Sequence, residues 1–308
     1  MRVGLDIGGT KTDAVAIRED GRVARTLRMP TGFGADVVLQ TAVDAVTELS
    51  RATDTPVAEF TSIGIGIPGS VDGDSGRVRH AVNLGLADLE LGTLLHARLG
   101  RPVRVENDVN AAALGAFHLQ GLGSGQSMAY LNLGTGLAAG LVLGGELWRG
   151  ASGVAGEIGH IPVDPAGPVC PCGQRGCLEL YASGSAVARQ WPSEHPLPVR
   201  ALFDAAEAGD ADAARVRDRL LQGTAEAARI LVLTVDVDDV VIGGGISRVG
   251  EPLLAGVRGV IARWEESSPF LASLGLAGRL RLLPVDFPAA AVGAAFVGDP
   301  TADSVEVV

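Results

Sequence analysis

The sequence predicts an α/β protein of two lobes, and three observations predict it. Apolar runs of strand length alternate with segments whose apolar residues recur at helical spacing. The run VGLDIGGTKTDAVAI at Val3–Ile17 aligns without gaps to AYLNLGTGLAAGLVL at Ala129–Leu143, an offset of 129 − 3 = 126 residues. A chain of 308 residues with 47% apolar and 20% charged side chains is too apolar for disorder and long enough for two cores.

Each element follows from the local pattern. VGLDI, GGTK and TDAVAI read as strand, tight Gly turn and strand over Val3–Ile17, and a third β-like run covers Arg22–Arg28. From Gly34 to Arg51 the spacing of Val37, Val38, Val43, Val46 and Leu49 predicts an amphipathic helix. Thr61–Ile67 is a β-rich run stopped by Pro68-Gly69. Leu91–Leu99 reads as helix, Val103–Val105 as strand and Asn110–Leu119 as an Ala-rich helix. Residues 1–120 thus form one α/β lobe, completed by a helix near 289–308. Residues 121–288 form the other, with the Gly-rich Gly121–Gly125 between them.

In the repeat, Asp6 falls on Asn132 and Gly8 on Gly134, with apolar alternation kept on both sides. A strand–Gly turn–strand duplicated at half-chain separation suits two lobes whose turns face one cleft. Identity alone leaves open that two hairpins with Gly turns simply look alike. Beyond the second hairpin, Gly150–Pro171 is loop-like and Ala182–Val235 is dominated by helical patterns. Val240–Ile242 is a strand running into Gly243-Gly244-Gly245, and a last helix is expected near Ala289–Val297.

Composition excludes several classes. Twenty-five basic against 36 acidic side chains give a net charge of −11, which repels nucleic-acid phosphates in the absence of a basic patch. The uncharged stretch Val109–Gly145 is broken by Asn110, His118, Gln120, Asn132 and repeated Gly, so it does not read as a membrane span. Asp6 interrupts the first apolar run, so no signal peptide is expected and the cytoplasm is the expected compartment.

The chemistry concentrates in the glycines, 43 in all. Three turns, Asp6-Ile-Gly8-Gly9-Thr10-Lys11, Leu133-Gly134-Thr135-Gly136 and Gly243-Gly244-Gly245, each follow an apolar strand. Glycine there lets backbone N–H groups approach an anion closely, and Thr10 and Thr135 add hydroxyl donors. None is a Walker loop. Lys11 is the only lysine in the chain and reads as a phosphate-facing cation or a solvated turn residue. In Val105-Glu-Asn-Asp-Val-Asn110, Asn107 and Asp108 lie between strand and helix, as an N-cap, as a general base, or as both.

The most specific local pattern is Gly156-Glu-Ile-Gly-His160 followed by Cys170-Pro-Cys172-Gly-Gln-Arg-Gly-Cys177-Leu-Glu179. One His and three Cys at close spacing match a Cys₃His structural zinc set, which leaves no open coordination position. Its expected role is to stiffen the loop that carries Glu157 and Glu179.

Together these motifs resemble the ROK sugar kinases, a family that includes glucokinases and N-acetylhexosamine kinases. The resemblance runs from DIGGTKT at Asp6–Thr12 through GIPG at Gly66–Gly69 and ENDVNAAALG at Glu106–Gly115, then LGTG, GEIGH, CPCGQRGCLE and the GGG turn. It implies an actin-like (ribonuclease H-like) duplicated ATPase fold with two lobes around a cleft. It also implies ATP-dependent phosphorylation of a hexose, glucose first, with N-acetylmannosamine, N-acetylglucosamine, fructose or mannose as competing acceptors. Asp108 then resembles the base that deprotonates the sugar hydroxyl. Gly69, Asn83, Asn107, Glu157, His160 and Glu179 resemble sugar ligands, His160 binding zinc through one ring nitrogen. Asp6 would assist Mg²⁺, and the three Gly turns would hold ATP or a polyphosphate donor. Homodimers or homotetramers are implied as well. Where glucokinases of the family often carry Trp after the Asn-Leu pair, this chain has Leu86. Met1 lies only five residues before Asp6, so the helix-turn-helix of the family's repressors is not expected.

Overall fold

Strand and helix formation follow the apolar pattern closely in the computed structural model, which describes residues 1–298. The terminal positions 299–308 of the stretch expected to complete the first lobe lie outside the described residues. β1 (Arg2–Ile7), β2 (Lys11–Ile17) and β3 (Val23–Pro30) form a meander, followed by α1 (Ala35–Ala52) and β4 (Ser62–Ile67). α1 buries Val38, Leu39, Ala42, Ala45, Val46 and Leu49. Next come three short strands, β5 (Ser70–Asp72), β6 (Arg77–Ala81) and β7 (Leu86–Leu89), then α2 (Leu91–Leu99), β8 (Arg104–Asn107) and α3 (Asp108–Leu119).

The second hairpin is β9 (Met128–Leu133) and β10 (Leu137–Leu143), with β11 (Glu146–Trp148) after it. Then follow α4 (Gly184–Gln190), α5 (Pro198–Glu207), α6 (Ala211–Val235), β12 (Asp239–Gly243), α7 (Glu251–Ser267), α8 (Pro269–Ser273), β13 (Leu280–Leu282) and α9 (Ala289–Val297).

Two five-stranded sheets have matching order, β3-β2-β1-β4-β8 and β11-β10-β9-β12-β13. In each, the hairpin is antiparallel and its first strand is parallel to the next strand inward. Asp6 lies opposite Asp13 on one side and Gly66 on the other; Asn132 lies opposite Ala138 and Gly243. The duplication read from fifteen residues therefore extends to whole sheets.

The chain divides into two units. One holds Met1–Leu122, the short return Leu147–Gly153 and the stretch from Pro288; the other holds Gly123–Glu146 and Val154–Phe287. The first unit's core is built from Val3, Leu5, Ile7, Ile63, Ile65 and Ile67 of the sheet against α1. On the sheet's other face α9 approaches so closely that glycine is obligatory. A Cβ on Gly4 would stand 2.0 Å from the Ala291 carbonyl oxygen, and one on Gly64 1.8 Å from that of Ala294. The second unit's core is larger, with α6 and α7 packed on β9, β10 and β12.

Two expectations were incomplete. The sheet of β5, β6 and β7 was not foreseen, because its strands are three to five residues long and half of their positions face solvent. The helical α7 and the strand β13 that follows β12 were likewise unassigned from sequence. None of the described helices is long and apolar enough to cross a membrane.

Candidate active site

In the first unit, the turn between β1 and β2 is closed by Gly8 N–H donating to the Lys11 carbonyl at 2.9 Å. Gly9 packs against the expected sugar ligand Asn83: a Cβ on Gly9 would lie 3.2 Å from that of Asn83. Lys11 is exposed and its Nζ lies 3.6 Å from Asp13, which also takes a two-point contact from Arg28 at 2.5 and 3.0 Å. The cation expected to face phosphate thus has a carboxylate neighbour.

Asp6 stands at the mouth of this turn. Burial first, then the charges of Asp108 and Asp13, push its carboxyl up to about 7, with Lys11 opposing. A buried carboxyl beside two other carboxylates is pushed toward its protonated form, and a hard oxygen donor of this kind suits Mg²⁺.

The Asn107-Asp108 corner is both cap and candidate base. Asn107 is the N-cap of α3: its Oδ1 accepts from the N–H groups of Val109 (2.9 Å) and Asn110 (3.2 Å). Its Nδ2 donates to the Gly69 carbonyl at 3.1 Å, which ties two expected sugar ligands together. Gly69 has φ 101°, and a Cβ there would strike the Arg79 carbonyl oxygen at 2.6 Å. Asp108 opens α3, half-buried, with Oδ1 accepting from the Val109 N–H at 2.9 Å. Leu86, in the position noted for Trp, is buried at 3% exposure in the unit's core.

In the second unit the turn Leu133–Gly136 is closed by Gly134 N–H to the Gly136 carbonyl, 3.1 Å. Glu179 sits on it: Oε2 accepts from Leu137 N–H at 3.0 Å, and a Cβ on Gly136 would lie 2.4 Å from that oxygen. Gly159 packs on the same strand, its ideal Cβ 2.1 Å from the Leu137 carbonyl oxygen and 3.4 Å from Glu179 Cβ. The Glu157–His160 turn and Glu179 therefore meet at the start of β10. Gly243–Gly245 abuts the second turn, since a Cβ on Gly244 would lie 2.5 Å from the Leu133 carbonyl oxygen.

Beside these turns is a cavity of about 640 Å³ lined by Gly134, Thr135, Ser185, Leu197, Gly245 and Arg248 among others. Ser185 N–H donates to the Thr135 carbonyl at 3.1 Å, and Gly184 N–H to that of Gly134 at 2.8 Å. Gly184, Ser185, the Pro196–Arg200 segment and Arg248 carried no motif, so sequence reasoning missed them. Only the Gly-Ser pair at the start of α4 hinted at a close backbone approach.

The four expected zinc ligands come together: one ligand atom from each of His160, Cys170, Cys172 and Cys177 lies within 4.8 Å of all the others. Cys172 and Cys177 sulfurs are 3.6 Å apart, and Cys170 Sγ is 3.9 Å from His160 Nδ1. Zinc–sulfur bonds of about 2.3 Å in a tetrahedron put sulfurs about 3.8 Å apart, so the set fits the metal. Hydrogen bonds from Gln174 hold exposed Cys172 down to about 6, while burial pushes Cys177 up. The loop is shaped for this by Gly173 and Gly176, both left-handed, and by Cys170 N–H bonding the Gln174 carbonyl at 2.7 Å.

Residues 2–272 match the family model described as the ROK family. A glucokinase of Thermotoga maritima is 35% identical over 276 residues, covering 83% of this chain and 85% of the relative. The solved ROK hexokinase of Thermus thermophilus superposes with a TM-score of 0.82 at 33% identity, covering 96% and 97% of the two chains. A ROK family glucokinase from Streptomyces griseus, solved with glucose and AMPPNP, gives 0.75 at 31% identity over 96% and 98%.

Proposed function

The chain belongs to the ROK family, and we propose that it is an ATP-dependent hexose kinase acting on glucose, with Asp108 as general base. One observation carries the assignment of the base. Asp108 opens α3 on a corner fixed by the Asn107 cap, and its charge is felt by Asp6 in the first phosphate turn. Phosphoryl transfer asks the protein to orient a hydroxyl, accept its proton and neutralise phosphate charge. Asp108 serves the proton. Gly69, Asn83 and Asn107 in the first unit, and Glu157, His160 and Glu179 in the second, serve as sugar ligands.

Gly8, Gly9, Thr10 and Lys11, with Gly134, Thr135 and Gly136 and Gly243, Gly244 and Gly245, hold the nucleotide phosphates. The 640 Å³ cavity is of the size that takes a nucleoside. Asp6 would hold Mg²⁺, which supplies charge neutralisation at the phosphates. His160, Cys170, Cys172 and Cys177 would hold a zinc ion that stiffens the loop bearing Glu179. His160 Nδ1 faces Cys170, which leaves Nε2 for the sugar. The compartment is the cytoplasm and the assembly a homodimer or homotetramer.

The test is coupled ADP release across glucose, mannose, fructose, N-acetylmannosamine and N-acetylglucosamine, with ATP and polyphosphate as donors. Glucose with ATP should give the highest kcat/KM. A higher value for an N-acetylhexosamine would reassign the acceptor, and saturable sugar binding with no ADP would make the protein a sugar-responsive binder.

A further inference from the structure

Glu106 is a charged side chain with 3% exposure, one residue before the Asn107 cap, and the chemistry above does not use it. Burying a carboxylate is costly unless every oxygen is paired. Here both are. Oε1 accepts from the Asn107 backbone N–H and from Asn110 Nδ2, each at 2.9 Å. Oε2 accepts from Arg149 Nε at 2.6 Å. A single carboxylate oxygen therefore grips the chain on both sides of Asp108. The Asn107 amide precedes the base and the Asn110 side chain lies one half-turn beyond it.

Arg149 reaches this point by an unusual route. It belongs to Leu147–Gly153, the short return of the chain to the first unit, flanked on both sides by segments of the second. Its side chain is 42% exposed and lines a cleft of about 540 Å³ with Asp72, Arg79 and Arg104. Among the described residues β8 pairs with β4 and stands at the edge of its sheet. The Asn107-Asp108 corner is held by side-chain hydrogen bonds as well as by the β4 ladder.

We propose that Arg149 is a positioning residue for Asp108, acting through Glu106: it fixes the carboxylate plane that holds Asn107 and Asn110, and so aims the base. The proposal rests on the hexose-kinase reading for its kinetic consequences, and on the hydrogen bonds alone for its structural ones. Removing the guanidinium leaves Glu106 buried with one oxygen unpaired. The carboxylate then turns toward the cleft, and its two bonds at the corner loosen. Misplacing a reacting group by about 1 Å can cost on the order of 100-fold in rate.

The experiment is a double-mutant cycle on the full chain with glucose and ATP. Arg149→Met should lower kcat by about 10- to 100-fold while leaving the KM for ATP within twofold. Arg149→Lys should recover part of kcat through a single charged donor. Glu106→Gln sets an amide N–H₂ against Arg149 Nε–H and should also lose activity. In Glu106→Gln/Arg149→Met the Gln oxygen still accepts from Asn107 and Asn110, no charge is buried, and kcat should exceed that of Arg149→Met alone. Deuterium uptake in a peptide covering residues 104–112 should rise in Arg149→Met and fall back in the double variant.

Wild-type kcat in Arg149→Met, or additive losses with no recovery in the double variant, would overturn the proposal. If the wild type phosphorylates no hexose, the functional reading fails instead, and the deuterium uptake still decides for or against the clamp.

Discussion

The two duplicated turns share topology yet differ by one residue in hairpin register and in nearly every polar side chain. The β1–β2 turn carries Asp6, Lys11 and Asp13, with Asp108 close enough to raise the Asp6 carboxyl. The β9–β10 turn carries Asn132 where Asp6 would be and Ala138 opposite it, so it offers neutral donors only. Each turn also rests on an expected sugar ligand: Gly9 on Asn83, Gly136 on Glu179. The duplicated frame supplies two Gly turns of the kind whose backbone N–H groups suit an anion. Side-chain differences then make one of them ionic and leave the other with neutral side chains.

The largest expected effect tests the charged side. Asp108→Asn should leave folding and sugar binding nearly intact and lower kcat by at least about 10²–10⁴-fold, the range of a positioned base. It should also lower the pKa of Asp6, because one of the charges that raises it is gone. Stopped assays and calorimetry with glucose would show both the lost turnover and the retained affinity. Turnover within a few-fold of wild type would erase the distinction between the two turns as far as chemistry goes.

The neutral side is tested through its support. Metal analysis should find about one zinc per chain, and Cys172→Ser should lose it. Because Cys177 lies two residues before Glu179, that loss should raise the KM for glucose by roughly tenfold with less effect on ATP. An active protein without zinc, unaffected by the substitution, would detach the cluster from the sugar site.

The legible part of the molecule was the part written in local pattern. Helices such as Leu91–Leu99, the two hairpins and the Cys₃His set were readable because apolar period and ligand spacing are properties of adjacent residues. The sheet of β5, β6 and β7 was not, since a strand as short as Ser70–Asp72 has no period to detect. The glycines were read for turns, linkers and anion approach. Gly4, Gly64, Gly115 and Gly293 instead let α9 press onto the sheet and α3, a long-range fact that no window of sequence contains. The Arg149–Glu106 contact, 43 positions apart, was invisible for the same reason.

A smaller effect separates the two glycine contacts. A methyl at Gly136 would sit 2.4 Å from Glu179 Oε2, so the flexible carboxylate must move and give up the Leu137 N–H. A hydrogen bond to a charged group is worth about 1.5–3 kcal/mol, so Gly136→Ala should raise the KM for glucose by about tenfold. A methyl at Gly9 meets Asn83 Cβ at 3.2 Å, a contact that a shift of a few tenths of an ångström relieves. Gly9→Ala should cost several-fold less, and equal losses would mean that the two turns bear on their sugar ligands alike.

The smallest effect is a pH dependence that only the charged turn can show. Asp6 has a folded pKa of about 7 against an ordinary 3.8, so between those values the native state holds a proton that the unfolded chain has released. Its contribution to stability is fully present below about pH 4 and is lost as pH rises through about 7. Without nucleotide or divalent cation, Tm should therefore carry a component that declines over this window and levels off above it. Asp6→Asn should remove that component and leave the variant more stable than wild type at pH 8, although poorer in turnover. Asn132 has no proton to exchange, so Asn132→Asp would transplant the behaviour into the second turn if the two frames are truly equivalent. Thermal melts from pH 4 to 8 on the three proteins, with and without Mg²⁺, would decide it. A wild-type profile unchanged by Asp6→Asn would show that the carboxyl is not the titrating group. A Tm regained at pH 8 on adding Mg²⁺, in wild type but not in Asp6→Asn, would show that the carboxylate which destabilises the metal-free protein is the one that receives the cation.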